Sequence, residues 1–233
     1  MKWIWEGIQQ AFQLIVYGNP EVFQITLLSL KISGLATFLS LLVGLPLGTL
    51  MAFGKFPTRK FWVSLINTGM ALPPVVVGLT VSIFLWRSGP LGDLRWMYTP
   101  TAIIIAQFII SVPVVTGLTT STLQQLDPRL SYQLMGLGAS RIQSVILLWR
   151  EARLPLLAAL MAGFGSVISE VGASMMVGGN LKGETRVLTT AIVLENSKGN
   201  FGFAIALSLI LLGLAYMVNL FLTIAQQRTT SSD

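Results

Sequence analysis

Five apolar runs punctuate this chain, at roughly Ile25 to Phe53, Phe61 to Trp86, Thr99 to Leu126, Leu154 to Gly178 and Phe201 to Ala225. Each has at least the roughly 20 residues that a helix needs to cross the hydrocarbon core of a bilayer. Lys31 and Glu170 are the only charged side chains inside them. Lys31 lies near one end of its run, where a long side chain can reach the headgroups. Pro73-Pro74 in the second run is expected to break or kink the helix, and Pro113 lies within the third. Residues 3–17 differ: Ile4, Ile8, Phe12 and Ile15 share one helical face, with Gln9, Gln10 and Gln13 elsewhere. That segment is short and amphipathic, so it reads as an interfacial helix, with a short sixth span as the alternative.

Between the third and fourth runs the pattern becomes polar and helical, LDPRLSYQLMGLGASRIQSVILLWREARLP. Asp127 followed by Pro128 is a helix start, an acceptor at the N-cap and then a ring that needs no donor. Leu130, Leu134 and Leu137 fall at helical spacing, and Gly136 and Gly138 interrupt them. Ile142, Val145, Ile146 and Trp149 repeat the spacing in a second helix that ends near Arg150 and Arg153. Two short amphipathic helices around a small-residue bend suggest a docking element.

Composition places the rest. In 233 residues, 53% are hydrophobic and only 10% charged, with mean hydropathy +0.74, too oily for an ordinary soluble domain. The net charge of +6 is therefore no nucleic-acid footprint until its distribution is known. The chain has no Cys and no His, which removes disulfides, thiolate nucleophiles, imidazole bases and the usual zinc ligands. No cleavable signal pattern is evident, because Glu6, Gln9, Gln10 and Gln13 interrupt the first apolar turns. Lys55, Arg59, Lys60, Arg129, Arg141, Arg150, Arg153 and Arg228 fall on one side of the spans, against Asp127, Glu151 and Asp233. On the other, Lys2, Arg87, Arg95, Lys182, Arg186 and Lys198 are nearly matched by Glu6, Glu21, Asp93, Glu184 and Glu195. The bias makes the first side cytoplasmic, with the N-terminus outside and the C-terminus inside.

No energy source is encoded. Gly48 to Lys55, GTLMAFGK, has five residues between its glycines where a P-loop has four, and Phe56 where a magnesium-binding hydroxyl should stand. GLGASR at Gly136 lacks the third glycine and the strand–helix–strand setting of a dinucleotide site. Glu170 within a span is costly and should face a bundle interior or cavity. It can fix helix packing through a backbone or hydroxyl partner or serve gating, but its charge has the wrong sign for a dianion ligand. Gly163, Gly165, Gly172, Ala173 and Ser174 permit close helix approach, which serves packing as readily as motion.

Two motifs resemble a known family. Gly138-Ala139-Ser140, the basic amphipathic helix after it and Leu154-Pro155 are similar to the coupling loop of ABC-importer permeases, although Tyr132-Gln133-Leu134 stand where that loop has Glu-Ala-Ala. The stretch from Ile168, ISEVGASMMVGGNLKGETRVLTTAI, resembles the segment of oxyanion permeases for molybdate and tungstate, and is most similar to the tungstate branch. The resemblance implies an all-α membrane protein of MetI-like type I importer architecture, with about five transmembrane helices after the N-terminal helix of residues 1–20. The permease domain would run over 21–228, with a cytoplasmic coupling loop at 121–153 and a tail at 229–233. It implies a homodimer in a prokaryotic inner cell membrane, a cytoplasmic ABC ATPase dimer that binds the ATP, an extracytoplasmic binding protein, and neither a cofactor nor nucleic acid on this chain. Tyr132, Gln133, Leu134, Gly138, Ala139 and Ser140 would contact the ATPase. Pro73, Pro74, Glu170 and Gly172 are the candidates for translocation or gating, and Asn180, Gly183, Thr185 and Arg186 form the outer oxyanion-permease motif. The substrate expected is tungstate, with molybdate or another oxyanion as the alternative. A secondary transporter would need several paired intramembrane charges for ion coupling, and a membrane enzyme would need a catalytic set; the chain offers neither.

Overall fold

The computed structural model describes residues 2–228, so the tail expected at 229–233 lies outside it. Among the described residues every regular element is helical: α1 (Lys2–Val16), α2 (Pro20–Phe53), α3 (Arg59–Met70), α4 (Pro74–Leu85), α5 (Pro100–Gln124), α6 (Pro128–Gly136), α7 (Arg141–Glu151), α8 (Arg153–Ile168), α9 (Gly172–Gly178), α10 (Leu188–Ser197) and α11 (Phe201–Arg228), with a 3-10 turn at Gly92–Leu94. Helices α2, α5 and α11 are each long and apolar enough to cross a membrane. Two bent pairs, α3 with α4 and α8 with α9, bring the number of possible spans to 5.

The first span begins earlier than its apolar run. Asn19 Oδ1 accepts the N–H groups of Glu21 at 3.0 Å and Val22 at 3.2 Å, and Pro20 occupies the first turn, so the cap starts α2 at Pro20. Lys31 consequently sits about 16 Å into the helix, at 1.5 Å per residue, and its side chain is exposed. Small residues let α2 meet α5. A Cβ on Gly44 would lie 2.8 Å from Val115, and one on Gly48 would lie 2.6 Å from Thr119, so the backbones approach as only glycine allows. Three buried hydroxyls of α2 are satisfied within the helix, Ser29 to Ile25 O, Thr37 to Ser33 O and Ser40 to Ala36 O, as a water-poor setting favours.

One apolar core joins α2, α4, α5 and α9 through Ile32, Val77, Val81, Ile103, Ala173 and Val177. Another joins α2, α10 and α11 through Val22, Ile25, Leu188, Ala191 and Leu207. Helix α10 lies between the fourth and fifth apolar runs. Thr190 Oγ1 accepts the Val187 N–H at 3.1 Å to begin it, and burial of Leu188 and Ala191 holds it. Helix α1 lies against the first turns of α11 in the opposite direction, with Gly7 facing Ile205 and Gln10 reaching Gly202.

Candidate functional site

The two bent pairs meet at their breaks. Pro73 and Pro74 do more than kink a span: α3 stops at Met70, α4 starts at Pro74, and the pair is bent by 100°. Neither proline supplies the donor that continuation would need. The second break, of 56°, falls between Ile168 and Gly172, at Glu170. A Cβ on Gly172 would lie 2.8 Å from Val75 Cγ2, and one on Gly78 would lie 2.7 Å from Ala173 Cα. The starts of α4 and α9 therefore touch through glycine, and Pro74, Glu170 and Gly172 share one locality.

Glu170 is 8% exposed. Its Oε1 accepts the Ala173 N–H at 2.8 Å, and its carbonyl oxygen accepts the Thr189 hydroxyl at 2.8 Å. The carboxylate thus satisfies a donor that the helix break leaves open, as a capping residue does. Helix packing is a visible role of this side chain.

Asn180, Gly183, Thr185 and Arg186 lie in a tight, internally bonded loop. Gly179, Asn180 and Gly183 have φ of 69°, 54° and 83°, the left-handed region that a non-glycine residue enters at a cost. Thr185, fully buried, donates to Gly178 O at 2.6 Å and accepts the Leu181 N–H at 2.9 Å. Leu181 O in turn accepts from the N–H groups of Glu184, Thr185 and Arg186. Asn180 Nδ2 donates to Thr190 O at 3.3 Å, which ties the loop to α10. The two cations of the loop share one acid: Lys182 Nζ is 2.8 Å and Arg186 Nη1 3.5 Å from the Glu21 carboxylate. Glu195 lies near Arg186 as well, and its carboxyl is held below its ordinary value, chiefly by the hydrogen bond from Lys198, against an opposing effect of burial. Glu21 and Glu195 appeared in the sequence only as charge balance. Tyr98 was equally silent, yet its N–H donates to Val177 O at 2.9 Å and its ring covers Gly179.

The docking segment folds as two helices with a left-handed turn between them. Asp127 Oδ1 accepts the Arg129 N–H at 2.9 Å, and Gly138, at φ 84°, reverses the chain after α6. Ser140 and Gln143 form a capping box that starts α7, with bonds of 2.8 and 3.3 Å. Tyr132, Leu137 and Ile142 are 68%, 85% and 75% exposed. Leu137 thus leaves the inward stripe that its spacing implied. Ser144 and Leu148 supply the buried face of α7, and Trp149 Nε1 donates to Thr49 Oγ1 on α2 at 2.9 Å. Gln133 and Gly138 are exposed, and Leu134 and Ala139 half-buried. Among the described residues no cluster of acidic side chains could hold a metal ion.

Residues 44–231 match the family of binding-protein-dependent transport system inner membrane components. The chain is 40% identical over 219 residues to the tungstate uptake system permease protein TupB of Peptoclostridium acidaminophilum, covering 94% of this chain and 96% of that one. It is 41% identical over 200 residues to a probable anion ABC transporter permease protein of Haloferax volcanii, covering 84% and 86%. The molybdenum transport system permease protein ModB of Escherichia coli K12 is 27% identical, covering 90% and 94%. In fold, the chain is similar to a solved inward-facing structure of the MetNI methionine ABC transporter, with TM-score 0.66, 18% identity and coverage of 91% and 94%. The helical order, the two bent helix pairs and the polar α6–α7 segment thus occur in a chain that belongs to the family of binding-protein-dependent transport system inner membrane components.

Proposed function

We propose that this chain is the membrane-spanning subunit of an ATP-driven importer of a tetrahedral oxyanion, and that the anion is tungstate. The observation that carries the reading is the α6–α7 segment, which holds Tyr132, Leu137 and Ile142 outward while Trp149 fastens it to α2. An unpartnered apolar face on an anchored loop fits a separate subunit that moves it. The closer identity to a tungstate permease than to a molybdenum permease supports the choice of anion.

Two copies form the pathway in a prokaryotic inner cell membrane, with the N-terminus outside and the docking loop and C-terminus in the cytoplasm. A cytoplasmic ABC ATPase dimer binds the ATP and receives Tyr132, Gln133, Leu134, Gly138, Ala139 and Ser140. This chain carries no catalysis and no cofactor of its own. An extracytoplasmic binding protein delivers the anion to the end marked by Asn180, Gly183, Thr185 and Arg186. ATP binding shifts an inward/outward equilibrium, and the touching breaks at Pro73-Pro74 and Glu170–Gly172 are where the spans change shape. Vesicles containing the chain, its ATPase and the binding protein should take up tungstate only with internal ATP. Uptake driven by an ion gradient with no ATPase present would sink the proposal.

A further inference from the structure

At the end of the bundle that carries α6 and α7, α3 and the last turn of α5 border a cleft of about 600 Å³, lined by Arg59, Lys60, Ser64, Asn67, Thr68 and Gln124 among others. A smaller cavity of about 140 Å³ shares Asn67 and Gln124 with it and continues along α5 past Thr120 and Ser121. No carboxylate lines either space. The contrast with the opposite end is chemical: there Lys182 and Arg186 both lean on Glu21.

Lys60, Ser64, Asn67 and Thr68 stand at i, i+4, i+7 and i+8 of α3, so they form one face. That face climbs about 12 Å from Lys60 to Thr68 at 1.5 Å per residue. Ser64, Asn67 and Thr68 lie in the uncharged apolar run, and all three are exposed. Hydroxyls and amides facing hydrocarbon would be costly, so such a face belongs on a wetted cleft. Arg59 marks its mouth: Nε donates to Met51 O at 2.7 Å, which fixes the guanidinium at the corner between α2 and α3. Thr68, Thr120 and Ser121 give their hydroxyl protons to backbone carbonyls, so the donors left for an oxyanion, whose oxygens only accept, are the two cations at the mouth with Ser64, Asn67 and Gln124.

We propose that this cleft binds a tetrahedral oxyanion at the exit end of the pathway, Lys60 and Arg59 supplying charge and Ser64, Asn67 and Gln124 supplying hydrogen bonds. The assignment rests on the transport reading above and adds a site that it does not contain. The same chemistry has two sources, the imported anion and the phosphate headgroup of an inner-leaflet lipid.

The test uses the full chain alone, reconstituted in nanodiscs, with tungstate as probe. In discs of phosphatidylcholine only, equilibrium dialysis should show tungstate binding at least tenfold weaker in the double variant Lys60→Gln, Asn67→Leu. Ser64→Ala, a milder change that keeps the test open should the double variant not fold, should weaken it about threefold. In discs containing phosphatidylglycerol, native mass spectrometry reads the retained lipid. Loss of lipid retention in the variants, with no tungstate binding in neutral discs, keeps the site and assigns the headgroup as its ligand. Unchanged tungstate binding with unchanged lipid retention overturns the site, as does a wild type that binds no tungstate and whose lipid retention the variants leave unaltered. Uptake by the wild-type chain with ATPase and binding protein is measured in parallel, so failure of import strikes the transport reading separately.

Discussion

Trp149 Nε1 donates to Thr49 Oγ1 at 2.9 Å, and Thr49 Oγ1 donates in turn to Leu45 O at 2.7 Å. The docking helix α7 is thereby joined to α2, the helix that packs along α5 through Gly44 and Gly48. On the proposed function, this contact is the route by which a push on α7 would reach α2. Trp149→Phe keeps most of the ring and removes the donor, at a cost of about 0.5–1.5 kcal/mol for one hydrogen bond. Transport stimulated by the binding protein should fall about threefold to tenfold with little change in membrane insertion. Thr49→Val should match it, and the double variant should be no worse than either alone. Additive losses would show that the two side chains act apart.

Gly138 supplies both a backbone and a surface. At φ 84° it tolerates Asn better than Ala, because Asn enters the left-handed region more readily. Gly138→Asn should therefore retain ATPase association. Gly138→Glu puts a long charge on the docking surface and should abolish association, measured by co-purification, while the chain still inserts. Normal association of Gly138→Glu would place the docking surface elsewhere.

Glu170 separates capping from charge. Gln keeps an oxygen for the Ala173 N–H, so Glu170→Gln should leave the thermal midpoint near that of the wild type. Glu170→Ala loses the cap and should lower stability by about 0.5–2 kcal/mol. If Glu170→Gln transports normally, a negative charge at the break is not needed for gating. Gly172→Val forces the start of α9 away from Val75 and should impair transport even where the protein folds.

Arg186→Ala should slow uptake of tungstate and molybdate alike, because its contacts are to Glu21 and to the loop backbone, and these order the outer end as a whole. Uptake assays with each anion decide this. Selective loss of one anion would place the choice of substrate in this chain.

Glu195 gives the end of α10 an acid limit. Its carboxyl is held below the ordinary value of 4.5, first by Lys198, so its contribution is present above that value. It is lost as pH falls through the lower, folded-state value. Measured against the intrinsic exchange rate at each pH, amide protection at the end of α10 should therefore fall below about pH 4.5, and Glu195→Gln should show the reduced protection at neutral pH too. Exchange indifferent to both changes would dismiss the pairing.

Much of the architecture was legible because hydrophobic runs and helix caps are local. The apolar runs marked the candidate spans, and Asp127-Pro128 marked the start of α6 through a side-chain contact of two residues' reach; the Ser140–Gln143 capping box that starts α7 is just as local but was not read from the sequence. The family resemblance singled out Asn180, Gly183, Thr185 and Arg186, and in the structure the Thr185 hydroxyl bonds both Gly178 O and the Leu181 N–H within that loop. The tertiary structure alone decided what those segments meet. Helix α10 depends on burial of Leu188 and Ala191 against α2 and α11, so its own polar context hid it. Leu137 follows helical spacing but sits past the end of α6, where the chain turns at Gly138 and exposes it. Glu21 and Lys182, or Thr49 and Trp149, are partners across more than a hundred positions or close to it, and no local pattern encodes such a distance. Outside α10, the helices follow from neighbours in sequence. The two breaks join only when packing brings Gly78 and Gly172 onto their neighbours, and the Glu21–Lys182–Arg186 cluster and the Trp149–Thr49 contact form only when the same packing sets distant side chains together.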